Sequence, residues 1–217
     1  MTAIAIMQPY FLPYAGYFRL IAQTELFVVY DCVQFPRRGW VHRNKLTDAQ
    51  GQEQWLTMPL CAAPQEVLIG DLAFPDDAAQ TLAERLRPFP VAQRAGAHRS
   101  LVDRVRRVDG RPVDYISGLL EEAAGLLDLP WNVVRSSTLQ VADSFRGQAR
   151  ILEIARRLGA TRYLNAPGGR DLYDTEAFAD AGIALEFLEP WAGPGGSILQ
   201  RLADDDLPGL AHQVRHG

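Results

Sequence analysis

The chain of 217 residues holds only two cysteines, Cys32 and Cys61, and four histidines, His42, His98, His212 and His216. That supply is too small for a disulfide framework or a Cys/His metal cluster, so no metal site is expected. No stretch approaches the roughly 20 consecutive apolar residues that cross a bilayer. TAIAIM at the N-terminus has no basic segment before it and no small-residue cleavage site after it, which speaks against a secretory leader. Charge of neither sign dominates: a net charge of -4 gives no general attraction to nucleic acid. Internal repeats and low-complexity linkers are absent too. The expectation is a cytoplasmic protein with no membrane span and no nucleic-acid partner, folded as a single α/β domain over residues 1–217.

What is present is an alternation of strands and helices. Residues 2–7 (TAIAIM) and 26–33 (LFVVYDCV) have the length and apolar, β-branched character of buried strands. Between them Tyr14, Tyr17, Phe18, Ile21 and Ala22 recur at helical spacing, so the segment reads as a βαβ unit. The polar turn DAQG separates residues 40–46 from 54–60 and marks a hairpin built onto the sheet. Residues 76–127 switch to helical periodicity, with Pro112 placed to open a helix, and form a helical insertion. Strands then return at 132–136, 161–164 and 183–188. They alternate with helices at 147–158, ended by Gly159, and at 174–181. Strands separated by helices give a Rossmann-like, mainly parallel sheet with flanking helices.

In such sheets ligands gather beyond the carboxyl ends of the strands. QPYFLPYAGY, residues 8–17, lies there. Gln8, Tyr10, Tyr14 and Tyr17 offer stacking faces and polar tips, and Gly16 lets the backbone approach a ligand. The competing reading is a helix-entry loop whose rings fill core. Asp31 ends a strand beside Gln34, Arg38, His42, Arg43 and Asn44, the densest polar constellation of the chain. Asp31 or His42 is the candidate general base, with Arg38, Arg43 and Asn44 gripping an anionic or carbonyl oxygen, against the alternative of a structural ion-pair network. Cys32 is read as core, since strand alternation turns it away from Asp31. The loop from Asn165 to Arg170 places Gly168 and Gly169 where backbone amides would converge on an anion, with Arg170 adding charge, or else is a plain turn. Arginines 94, 99, 104, 106, 107 and 111 form a basic face suited to an acidic carrier protein, although a solvated helix face carries more weight.

Two resemblances bear on function. Pro13-Tyr14-Ala15-Gly16-Tyr17 is similar to the P-H-x-G-H signature of nucleotidyltransferase-like Rossmann enzymes, with tyrosine at both histidine places. A phenol with a pKa of about 10 stays neutral at pH 7, where an imidazolium would carry charge to a phosphate. MQPYFLPYAGYFRLI, VVYDCVQFPRRGWVHRNKL, QWLTMPL and RILEIARRLGATRYLNAPGGRDLYDTEAFADAGIALEFLEP together resemble the WbqC-like protein family, apart from Cys32, where the family usually has an acidic residue. Its members occur beside surface-polysaccharide genes and in small-molecule biosynthetic clusters. The resemblance implies a transferase that forms an amide by moving an acyl or aminoacyl group, from a thioester on a phosphopantetheine arm or from a nucleotide-linked donor, onto a small amine or amino sugar. Two alternatives stay open: an ATP-dependent ligase or nucleotidyltransferase, and a noncatalytic nucleotide-sugar binding protein.

Overall fold

The computed structural model describes residues 2–217. In chain order they form β1 (Ala3–Met7), a 3-10 turn (Ala15–Phe18) leading into the short α1 (Arg19–Ala22), β2 (Leu26–Val29), β3 (Arg43–Thr47) and β4 (Glu53–Thr57). Three helices follow, α2 (Ala78–Leu86), α3 (Arg99–Arg106) and α4 (Pro112–Leu126). The second half adds β5 (Val133–Arg135), α5 (Gly147–Arg157), β6 (Arg162–Asn165), α6 (Thr175–Asp180), β7 (Ala184–Phe187), α7 (Ile198–Asp204) and α8 (Leu207–His216).

Five strands make one sheet in the order β5-β2-β1-β6-β7, every pair parallel. β1 is buried on both faces, as a central parallel strand must be. Ile4 and Ile6 project into a cluster with Ile151, Ile154, Tyr163 and Phe178, contributed by α5, β6 and α6. The small Ala5 points the other way, into a larger core with Phe18, Phe27 and Leu164. That core continues without a break through Leu82, Val102 and Leu119 of α2, α3 and α4. The helices over 76–127 therefore share the sheet's core. The strand order reverses beside β1, with β2 and β5 on one side and β6 and β7 on the other, so the crevice that favours ligands lies at the carboxyl ends around β1.

Local signals explain most boundaries. Pro112 opens α4, where a missing N–H costs nothing. Gly159, at φ +62°, ends α5, and Ala160 N–H returns to the carbonyl of Ala155. Asp174, Ser197 and Asp206 cap α6, α7 and α8 with their side chains.

Three expectations need correction. The hairpin β3–β4 is a separate two-stranded sheet and is not built onto the main one. Its turn is satisfied internally, because Asp48 Oδ1 accepts from the amides of Gln50 and Gln52 while Gly51 takes φ +76°. The helix read through Tyr14 to Ala22 is α-helical only over Arg19–Ala22: a 3-10 turn over Ala15–Phe18 precedes it, and Leu12 in the loop before sits at φ +48°, an uncommon conformation for a branched side chain. Strand β2 ends at Val29, not at residue 33.

The clamp on Leu12 comes from far along the chain. Asn44 Nδ2 donates to the carbonyls of Phe11 (3.2 Å) and Leu12 (2.6 Å), and Ser197 Oγ donates to the same Leu12 carbonyl at 2.9 Å. A strained residue persists only where its surroundings over-determine it. Asn44→Ala should therefore lower stability by about 1–3 kcal/mol, the cost of stranding buried acceptors. Denaturant unfolding checks this, and an unchanged midpoint would assign the clamp to Ser197 alone.

Candidate functional site

Three clefts open around the carboxyl edge and the hairpin, and the residues singled out above divide among them. Asp31 is the most tightly held. The chain leaves β2 at Tyr30 and turns, which buries the Asp31 carboxylate completely. Oδ2 accepts from Arg135 Nε at 2.8 Å and Ser137 Oγ at 2.7 Å; Oδ1 accepts from Ser136 Oγ and the Ser137 amide, each at 2.9 Å. Arg135 continues to Asp114 of α4 at 2.7 Å. A buried carboxylate with one guanidinium hydrogen bond, a second guanidinium nitrogen in contact at 2.8 Å and three further donors is fully occupied and has no lone pair to offer a substrate. Asp31 is thus a joint between β2, β5 and α4, and His42 is not among its partners.

His42 lies at the start of the hairpin, where its carbonyl accepts from Met58 N–H. Its ring stands edge-on to Phe35, centroids 5.0 Å apart, with Nδ1 buried and unpartnered. Burial, and secondarily the positive charge of Arg43, lowers its pKa to about 4, so the imidazole is neutral at pH 7. It lines a cleft of about 540 Å³ together with Arg37, Arg85, Met58 and the exposed Cys61. The other predicted partners of this centre are engaged elsewhere. Arg43 donates to the carbonyl of Arg38 at 2.8 Å and lays its guanidinium over Trp55, 4.3 Å from the ring centroid. Asn44 is the Leu12 clamp. Gln34 donates to the carbonyl of Gln65 at 2.9 Å.

The opening loop splits its tyrosines. Tyr17 is core: its hydroxyl donates to the carbonyl of Gln8 at 2.9 Å and its ring meets Phe18 and Phe27 edge-on. Tyr10 and Tyr14 line a second cleft of about 310 Å³, walled also by Trp40, with the Lys45–Glu53 ion pair (3.0 Å) at its side. Trp40 and Trp55 meet nearby with ring centroids 5.4 Å apart and planes tilted by 45°, both more than two-fifths exposed. Gly16 does not face a ligand. A Cβ there would lie 2.8 Å from the Trp191 ring, so the glycine is needed for packing.

The glycine loop is a turn and does not form an anion cradle. Gly169 N–H donates to the carbonyl of Ala166, and a Cβ at Gly169 would collide with the buried Asn165 side chain, whose Oδ1 accepts from Ala166 N–H. Gly168 faces open space. Arg170 contacts Glu189 at 3.3 Å and lies over Phe187. The arginine face is also largely paired: Arg94 with Asp204, Arg99 and Arg106 with Asp103, Arg104 with Asp109, and Arg111 with the Gly70 carbonyl. Most of those bonds are local to α3 and the loop that follows it, with Arg94 reaching α7, and they reduce the charge left for a partner.

Cys32 departs from its expected place. Because β2 ends before it, strand alternation does not apply. Cys32 is half-buried on a third cleft, of about 410 Å³, with its Sγ 3.5 Å from Nη1 of Arg150. Neither Arg150 nor the trio Arg135, Ser136 and Ser137 was found from sequence. The SST run directly after a strand was the available signal. Among the described residues no group of three or more His, Cys, Asp or Glu side chains is placed to hold a metal ion, and no helix is long and apolar enough to cross a membrane.

Comparison with known proteins adds a family. The model of the WbqC-like protein family matches residues 8–194. The chain is also 27% identical over 232 aligned positions, covering 93% of each sequence, to "Uncharacterized protein Rv1507c" of Mycobacterium tuberculosis. No solved structure matches the chain significantly.

Proposed function

The chain belongs to the WbqC-like protein family, and from that premise we propose that it is a biosynthetic transferase that forms an amide, moving an acyl or aminoacyl group from a thioester onto a small amine or amino sugar. One observation supports this reading above the others: a neutral histidine, His42, on the cleft of about 540 Å³ that Arg37 and Arg85 also line. Amide formation needs a base that is unprotonated at pH 7 when the amine nitrogen attacks. As the nitrogen bonds to the thioester carbonyl, His42 takes the proton that the nitrogen sheds. The C–S bond then breaks and the departing thiolate takes that proton back from His42, leaving as a thiol and restoring the neutral imidazole. Arg37 and Arg85 hold anionic parts of the donor by charge-assisted hydrogen bonds.

Nucleotidyl transfer is less well supported, since Tyr17 is buried with its hydroxyl committed to Gln8 and cannot reach a phosphate. A noncatalytic nucleotide-sugar binder has one observation in its favour, the aromatic cleft of Tyr10, Tyr14 and Trp40, on which a base or sugar ring would stack. Mass-detected turnover of purified protein with acyl thioesters, ATP and amine acceptors separates the three. Amide product without ATP cleavage is the expected result. ATP cleavage to AMP or ADP would replace the transferase with a ligase, and binding without turnover would leave the noncatalytic protein.

A further inference from the structure

Arg150 is a buried charge with one guanidinium nitrogen left without a hydrogen-bond partner. It is 4% exposed, yet it lies on the wall of the 410 Å³ cleft at the carboxyl end of β2. Its Nε donates to the carbonyl of Phe145 at 2.8 Å and its Nη1 to the carbonyl of Cys32 at 2.7 Å, while Nη2 has no hydrogen-bond partner. Asp143 Oδ1 comes within 3.5 Å of Nη2, but that carboxylate sits on a side chain 93% exposed to water and the contact lacks hydrogen-bond geometry. A buried guanidinium without an inward-facing anion bears a desolvation cost that is not offset.

The same cleft receives the N-terminus of α5. Gly147, the first residue of that helix, lines it at φ +50°, and no side chain caps the free amides there. Arg146 lines it as well. The exposed Glu66 and Asp143 stand at the rim and set a limit on how much negative charge the cleft attracts. Uncapped amides, the positive end of an eleven-residue helix and two guanidinium groups converge on one space large enough for a phosphate ester.

We propose that this cleft is a phosphate subsite, in which Arg150 Nη2, Arg146 and the first amides of α5 bind the phosphoryl group of the donor molecule. The phosphate ester is common to a phosphopantetheine arm and to a nucleotide. The subsite deepens the transferase reading by giving its donor a fixed anchor, but its existence does not require turnover. The residue beside it also has a role. Cys32 brings an uncharged sulfur-bearing side chain to Arg150 where a carboxylate would fit, so the guanidinium remains free for an external anion.

The test is isothermal titration of the full chain with inorganic phosphate, pyrophosphate, 4′-phosphopantetheine and ADP. Saturable binding of phosphate or pyrophosphate is expected, weakening at least about tenfold in Cys32→Asp, whose carboxylate would satisfy Arg150 from within, and in Arg146→Glu. Both variants leave Arg150 and the core in place, and an unchanged circular dichroism spectrum confirms folding. Tighter binding of 4′-phosphopantetheine than of ADP identifies a carrier-type arm and the reverse order a nucleotide; either result supports the subsite. No saturable binding of any of the four, or equal affinity in wild type and Cys32→Asp, overturns it. Binding retained by a protein that makes no amide would remove the transferase reading and keep the subsite, whereas amide formation without phosphate binding would do the opposite.

Discussion

Asp31→Ala is expected to lose about 3 kcal/mol of stability, because removing the buried charged acceptor strands the Ser136 hydroxyl and the Ser137 amide and leaves Arg135 only the exposed Asp114 as a carboxylate partner. Arg135 would lose the partner it holds at 2.8 Å, and Ser136, itself buried, would lose its acceptor. In a protein whose total stability is about 5–15 kcal/mol this is a large fraction of the whole. Chemical denaturation with constant m-value reads it directly. Asp31→Asn should lose less, because the amide oxygen still accepts from the Ser136 hydroxyl or the Ser137 amide. The outcome that would sink this assignment is a variant that folds with wild-type stability and has lost turnover, for then Asp31 would be chemical and not structural.

His42→Gln is expected to behave in the opposite way, with kcat for amide formation falling by about 10²–10⁴ and the melting transition at pH 7.5 nearly unmoved. The pH dependence separates the two effects. In the native state the pKa of His42 is lowered to about 4 by burial and by Arg43, while the unfolded chain has the ordinary value of 6.5. The unfolded chain therefore binds the proton first. His42 contributes stability that is fully present above about pH 6.5 and lost as pH falls toward 4. Wild-type stability should decline across that window more steeply than that of His42→Gln. The kcat of wild type should show no limb near pH 6.5, where an unperturbed histidine would produce one. A limb at 6.5 that His42→Gln removes would mean that the ring is hydrated in solution and not desolvated as described.

Much of the fold was legible because its signals are local. The apolar runs of β1 and β2, Pro112 at the head of α4 and Gly159 at the end of α5 each sit within a few residues of the boundary they set. Ser197 and Asp206 carried equally local capping signals for α7 and α8, which were passed over. What escaped was decided at long range. The donors that occupy Asp31 lie 104 to 106 residues away, so proximity in sequence pointed to His42 instead. Cys32 was misplaced because a period-2 argument was carried past Val29, where the strand ends. Gly16 and Gly169 were read as making room for a ligand. The room at Gly169 is taken by Asn165 of the same loop, and that at Gly16 by Tyr14 and by Trp191, of which only Trp191 is brought near by the fold. Of the proposed site residues, Tyr10, Tyr14, Gln34, Asn44 and His42 line clefts, Asn44 while also clamping Leu12, whereas the side chains of Tyr17 and Asn165 are taken up by contacts within the protein.

The central position of β1 has a consequence for the protein's birth. β1 pairs with β2 on one edge and with β6, beginning at Arg162, on the other. In the order of synthesis β1 and β2 precede β6 by more than a hundred residues, so the far edge of β1 has no partner for its amides and carbonyls until Asn165 has left the exit tunnel. At about 5–20 residues per second that interval lasts several seconds to tens of seconds. A bare parallel edge with isoleucines on one of its faces is a template for pairing with a neighbouring nascent chain. The same placement that puts β1 at the ligand crevice thus makes synthesis the most vulnerable moment in the molecule's life, and a ribosome stalled between α4 and β6 would leave that edge open.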